Sequence, residues 1–210
     1  MDIMNLLQGQ LSQGVLDQLT QQIGASDSKQ TAAATAGIMN TLVGALAKNA
    51  SNPEGAQSLS NALDRDHDGS VLDNVMDMFT GGGQVAQQNN RAMNGSGILN
   101  HILGDRQGGA IDMISKISGL DSGKTGNLMT MLAPILMGAL GKQKRQQGLD
   151  VGGLANLLTG TVTQQNQSPQ NPTMSLVTKF LDADGDGSIT DDVASIGMKL
   201  LGGLFGRKRR

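Results

Sequence analysis

The chain runs twice through one pattern. From Val15 it reads VLDQLTQQIGASDSKQTAAATAGIMNTLVGALAKN, and from Ala110 it reads AIDMISKISGLDSGKTGNLMTMLAPILMGALGKQ. Asp17 pairs with Asp112, Gly24 with Gly119, Lys29 with Lys124 and Thr35 with Thr130. After a one-residue slip, Gly44-Ala45-Leu46 pairs with Gly138-Ala139-Leu140 and Lys48 with Lys142. SLSNAL ending at Leu63 parallels GLANLL ending at Leu158, and each half then arrives at an acidic loop. A length of 210 residues is compatible with one domain or two. The self-similarity argues for two related units of the same build.

Those units are expected to be helical. Ile3, Leu7, Leu11, Val15, Leu19 and Ile23 recur every fourth residue, a helical stripe interrupted at Gly9 and Gly14. Ser26 or Asp27 is placed to cap the next helix, which runs to about Lys48, and Ser122 is expected to cap its counterpart. Pro53 opens a short helix ending near Leu63, and Pro134 falls inside a helical pattern that it should kink. Ala, Leu, Met and Gln are common and strand formers scarce, so the expected fold class is all-α, two related helical halves, each ending in an EF-hand-like acidic loop. Gly37, Gly44 and Gly138 sit in helix-like segments, where Gly costs about 1 kcal/mol relative to Ala. They make sense on helix faces that approach closely.

The acidic loops carry the strongest chemical signal. An EF-hand loop places oxygen ligands at its first, third, fifth, seventh and ninth positions, Gly at the sixth and a bidentate acid at the twelfth. Asp64, Asp66 and Asp68 fill the first, third and fifth positions of one loop, with Gly69 sixth and the Ser70 backbone carbonyl seventh. Asp182, Asp184 and Asp186 do the same in the other, followed by Gly187 and Ser188. The twelfth positions are Val75 and Val193, so the late ligand must be Asp73 in the first loop and Asp191 or Asp192 in the second, or else water. Bound Ca2+ is therefore expected at both loops, weaker than in a high-affinity EF-hand and stronger at the second loop than the first. An acidic turn that holds no metal is the plain alternative.

Composition excludes other chemistries. Cys is absent, so there is no disulfide, zinc-thiolate site or thiol nucleophile. Three Phe, no Trp and no Tyr leave nothing for bases or sugars to stack on, and a net charge of −2 supplies no field for nucleic acid, so no nucleic-acid partner is expected. His67, at the fourth loop position, reads as a solvated loop residue, and His101 as a helix-surface residue. No catalytic triad, phosphate loop or metalloprotease motif assembles. The N-terminus lacks a signal-peptide pattern and no apolar run is long enough to span a bilayer, so a cytoplasmic location is expected. IGMKLLGGLFGRKRR at the C-terminus is an amphipathic segment with a basic end, suited to weak membrane contact or to another subunit.

The ILGDRQGG segment, the LAPILMGALGKQ helix, the LDADGDGSITDDV loop and the GLFGRKRR end together resemble the bacterial domain-of-unknown-function family numbered 937, of which YidB-like proteins are relatives. The resemblance spans about residues 3–206 and is clearest in the second half. It implies a bacterial, all-helical protein. It brings no activity and no catalytic residues.

The expected organisation is a helical repeat over 1–80 with its acidic loop at 64–75, a Gly/Gln/Asn-rich linker at 81–97 and a second helical repeat at 98–160. A polar linker at 161–172 and a segment at 173–210 carrying the loop at 182–193 complete it. The leading functional expectation is a non-enzymatic scaffold or binding protein, calcium-binding and self-associating, with a protein partner also in view. A calcium-responsive regulator that grips a partner helix through a Met-rich surface is the second reading. A carboxylate-based hydrolase is the third, and requires two carboxylates facing a deep cleft.

Overall fold

A computed structural model describes residues 12–67, 69, 72 and 93–167. All regular structure among them is helical: α1 Gln13–Gln22, α2 Ser28–Asn49, α3 Pro53–Arg65, α4 Gly95–Leu103, a single 3-10 turn Gly104–Arg106, α5 Gln107–Ser118, α6 Ser122–Gln147 and α7 Val151–Gln167. None of these helices is long and apolar enough to cross a membrane.

The two long helices, α2 and α6, form the centre. Burial is continuous from Gly37 to Leu46 in α2 and from Leu132 to Gly141 in α6, over nearly three turns each. A helix apolar all round belongs in the interior, covered on every side. Both of these buried segments carry a Gly-Ala-Leu step, Gly44-Ala45-Leu46 and Gly138-Ala139-Leu140. Ile38, Met39 and Leu42 of α2 and Leu128, Met129, Leu132 and Leu136 of α6 are essentially sealed from solvent. α1 adds Val15 and Leu19, with Ile23 just beyond its end, the stripe that the four-residue spacing anticipates.

The arrangement of the outer helices ties the halves together. α2 packs on α6 directly. α7, from the second half, lies on α2, while α3, from the first, lies on α6, and α3 and α7 also touch each other. α5 crosses the sequence boundary as well, packing against α2. One apolar cluster runs from Val15 to Leu158.

The turns repeat their chemistry. α1 and α5 are each followed by a glycine at positive φ, Gly24 at 64° and Gly119 at 75°. Each long helix is then capped by an aspartate: Asp27 Oδ1 accepts from the Lys29 backbone N–H at 2.8 Å and Asp121 Oδ1 from Lys124 at 2.9 Å. The second cap is Asp121 and not Ser122, which is the first residue of the helix. Carboxylate wins because its charge also suits the positive end of the helix. The Lys124 backbone N–H bond holds the Asp121 carboxyl below its usual range.

Two other expectations change. α7 continues through Thr161–Gln167, so this part of the span read as a polar linker is helix, anchored by Leu154, Leu158 and Thr161 in the interior. Thr161 and Thr163 return their hydroxyls to carbonyls four residues earlier, at 2.8 and 2.9 Å, which lets polar residues sit in a helix. The second helical unit also starts earlier than residue 98, at Gly95, where Asn94 Oδ1 accepts from the Gly97 N–H at 2.9 Å. α6 runs through Pro134 as a single helix. Proline removes the N–H that would have bonded the Thr130 carbonyl four residues back. Gly95 packs its backbone against that carbonyl oxygen.

Candidate functional site

Two places gather polar side chains: the beginning of the first acidic loop, and a cleft beside it.

α3 carries Asp64 in its last turn and ends at Asp66, which occupies the C-cap position. Lys144, from the last turn of α6, donates to Asp64 Oδ1. The lysine side chain is 9% exposed and the aspartate 57%, so the pair joins the loop to α6 at the edge of solvent. Asp66 Oδ2 accepts from Arg65 Nε and Nη2 at 3.1 and 3.0 Å. Gly69 has φ of +91°, and the Leu72 N–H donates to its carbonyl at 3.0 Å. A positive φ at this position is what the sixth residue of a calcium loop requires, and glycine adopts it without strain. An added Cβ would also lie 2.9 Å from Lys142 Cβ, so the chain here hugs α6. Among the described residues no three potential ligands of the His, Cys, Asp or Glu type come together. Asp68, Ser70, Asp73, Asp182, Asp184, Asp186, Ser188, Asp191 and Asp192 lie outside the described residues, as does the C-terminal basic segment.

His67 departs from its expected role as a solvated loop residue. It is 5% exposed and lines a cleft of ≈ 720 Å³ between α3, α4 and the end of α2. Gly69, two residues on, lies against Lys142 of α6. Its Nδ1 has no hydrogen-bond partner among the described residues. His101 of α4 lines the same cleft, so the only two histidines of the chain share it. The sequence placed them 34 residues apart on unrelated-looking segments, and nothing local pointed to their meeting.

The cleft has an apolar wall of Leu46, Leu59, Ile98, Ile102 and Met137. Asn49, Asn52, Asn61 and Asn94 supply amides. Asn49 Nδ2 donates to the Ile102 carbonyl at 3.0 Å, pinning α2 to α4. Asn52 Oδ1 accepts from the Gly55 N–H at 2.7 Å, the cap of α3. No carboxylate is among the described lining residues. The carboxylate pair that hydrolase chemistry needs is thus not found in this lining.

Burial pushes the His67 imidazole below its ordinary value of 6.5, and the Asp66 carboxylate offsets this only in part. As pH falls, the unfolded chain takes up the proton first. The stability tied to neutral His67 is intact above pH 6.5 and is lost as pH drops from there towards the lowered folded value. Melting temperatures measured at neutral and mildly acidic pH should therefore fall on the acid side, and His67→Gln should flatten that fall. An unchanged acid slope in the variant would show that the burial of His67 does not set it.

The comparisons with known proteins bear on the fold as a whole. No curated protein and no solved structure matches the chain. A family model described as a bacterial protein of unknown function, DUF937, matches residues 5–143, from the first segment through most of α6. That match takes in the first acidic loop, both histidines and most of the central helix pair, and it covers well over half of the 210 residues. The chain belongs to this bacterial family of unknown function.

Proposed function

We propose that the protein is a non-enzymatic, calcium-binding scaffold that associates with itself, built from a duplicated helical unit, and that it is related to the YidB-like proteins. The observation that carries the calcium reading is Gly69 at φ +91°, placed five residues after Asp64 and three after Asp66 at the end of a helix. That is the backbone turn by which an EF-hand loop folds its carboxylates around an ion. In this reading Asp64, Asp66, Asp68 and the Ser70 carbonyl hold the first ion with Asp73. Asp182, Asp184, Asp186, Ser188 and Asp191 or Asp192 hold the second. Ca2+ would supply the positive charge that clustered carboxylates need, fixing the chain after α3 against α6. The paired caps, the paired glycine turns and the matching long helices support the duplication.

The Lys144–Asp64 pair favours a second reading, a calcium response. An ion that draws Asp64 to itself competes with Lys144, and the change reaches α6 directly. The partner-gripping Met surface has less support: Met39, Met129 and Met137 are buried in the core.

Calorimetric titration should detect up to two calcium sites. At tenfold excess over the dissociation constant, one site should stabilise the fold by about 1.4 kcal/mol. Exchanging Asp184 and Asp186 together for Ala should remove one site and leave the other. Absence of heat, with an unchanged melting temperature in millimolar calcium, would sink the metal reading. Particle size by electron microscopy tests the scaffold: assemblies larger than one chain, with or without calcium, are expected, and a monomer under both conditions would refute it.

A further inference from the structure

We propose that Asn94 is a site of spontaneous deamidation, which the folded chain holds shut and which the departure of α4 from α6 releases. The inference depends neither on calcium nor on self-association.

Asn94-Gly95 is the one Asn-Gly step in the chain. Glycine has no side chain to shield its nitrogen, so in such a step the main chain attacks the asparagine carboxamide. The Gly95 nitrogen gives up its proton and bonds to Asn94 Cγ, the Cγ–Nδ2 bond breaks, and ammonia leaves. Water then opens the five-membered succinimide ring at either carbonyl, giving aspartate or isoaspartate. One water is consumed and one ammonia released, with no change of oxidation state.

Asn94 is exposed, so water and base reach it. The local geometry nevertheless opposes the attack. Asn94 has ψ of 75°. At this ψ the Gly95 nitrogen lies nearly opposite Cβ across the Cα–C bond, whereas the ring requires the two to be eclipsed. Bringing them together turns that bond through nearly half a circle and swings α4 with it. The carboxamide is tied to the third residue of α4 when attack requires it to meet the first: Oδ1 accepts from the Gly97 N–H at 2.9 Å. The Gly95 N–H is itself engaged, donating to the Met93 carbonyl at 2.9 Å. Gly95 is buried with its backbone against the Thr130 carbonyl, so it cannot turn while α4 stays docked.

The two products have different fates. Aspartate suits the cap, since Asp27, Asp121 and Asp150 accept from first-turn N–H groups of α2, α6 and α7 in the same way. Isoaspartate lengthens the main chain by a methylene just ahead of Gly95, which then no longer meets the Thr130 carbonyl in register. A transient opening of α4 is thereby made permanent in those chains.

The test follows the Asn94 peptide of the full-length protein by mass spectrometry in mildly alkaline buffer, with and without denaturing urea. Conversion should be at least about tenfold faster in urea, because the folded chain reacts only through its open fraction. Leu99→Ala empties a sealed position of α4 and should speed conversion without urea. Ile102→Val, a milder cut in the same helix, serves if Leu99→Ala does not fold. Leu19→Ala, in α1, which packs on α2, should speed it less at the same loss of melting temperature. Isoaspartyl chains, once separated, should melt lower than unmodified ones. Equal rates with and without urea, or no conversion in urea, would overturn the proposal. So would equal acceleration by the α1 and α4 variants, no acceleration by the α4 variants, or isoaspartyl chains that melt like the unmodified protein.

Discussion

Divided between its halves, the chain should give two pieces that fail to fold alone. Residues 1–80 and 81–210, produced separately, are expected to show broad, uncooperative melts by circular dichroism, and their mixture should regain a sharp one. The reason lies in which helix covers which. α7 finds its principal neighbours, α2 and α3, in the first half, and α3 finds its own, α6 and α7, in the second. α2 loses α5, α6 and α7 together when the halves part. Leu42 and Ile38 of α2 and Leu154 and Leu158 of α7 are all sealed in the intact chain. Each large apolar side chain returned to water costs about 1.5–3 kcal/mol. A domain's whole margin is about 5–15 kcal/mol, so the uncovering of a handful exceeds it. A sharp, independent melt from either half would show that the two halves are separate domains, and that their interlocked packing adds little.

The helices and their punctuation were legible because they are written in local residues: the Asp caps, the glycines that follow α1 and α5, and the Gly-Ala-Leu steps of the long helices. Helical period and punctuation do not depend on distant parts of the chain. What they cannot convey is which helix covers which. Reading each half as its own unit, with α3 on α2 and α7 on α6, is equally consistent with the amphipathic stripes, and the structure exchanges these partners. The same gap explains His67. Its position in the calcium-loop pattern argues for solvent exposure, but its surroundings come from distant segments: Leu46 and Asn49 of α2, Ile98 and His101 of α4 and Met137 of α6 line the same cleft. The cleft was invisible for that reason: Asn49, Asn52, His67, Asn94 and His101 look like helix ends and turns until three helix termini converge. The linker misreading at Thr161–Gln167 has a local cause. Gln, Asn and the prolines just beyond suggest a loop, whereas Leu158 and Thr161 are buried and α7 carries on past them to Gln167.

Gly95→Ala should destabilise the protein by roughly 3 kcal/mol, at or above the upper range for overpacking by a single methyl group. In a chain of this size that lowers the melting temperature by about 10 °C. At Gly95 the added Cβ would overlap the Thr130 carbonyl oxygen and lie 2.8 Å from its carbon. Backbone cannot swing aside as a flexible side chain can, so α4 must move off α6. Pro134 makes that movement more costly. It has already deprived the Thr130 carbonyl of its helical donor, and the first turn of α4, the positive end of a helix, stands against the exposed oxygen. Displacing α4 takes its positive end away from this carbonyl, besides opening the interface where Leu99 and Leu103 pack. Gly108→Ala is the control. Gly108 lies in the first turn of α5 with nothing within 4 Å of an added Cβ, so the same change should be neutral or should stabilise by up to about 1 kcal/mol through helix propensity. The contrast in sign separates close backbone approach from any general cost of altering glycine. Equal, small effects at both positions would mean that α4 does not rest on the Thr130 carbonyl, and the account of how Pro134 is accommodated would fall with it.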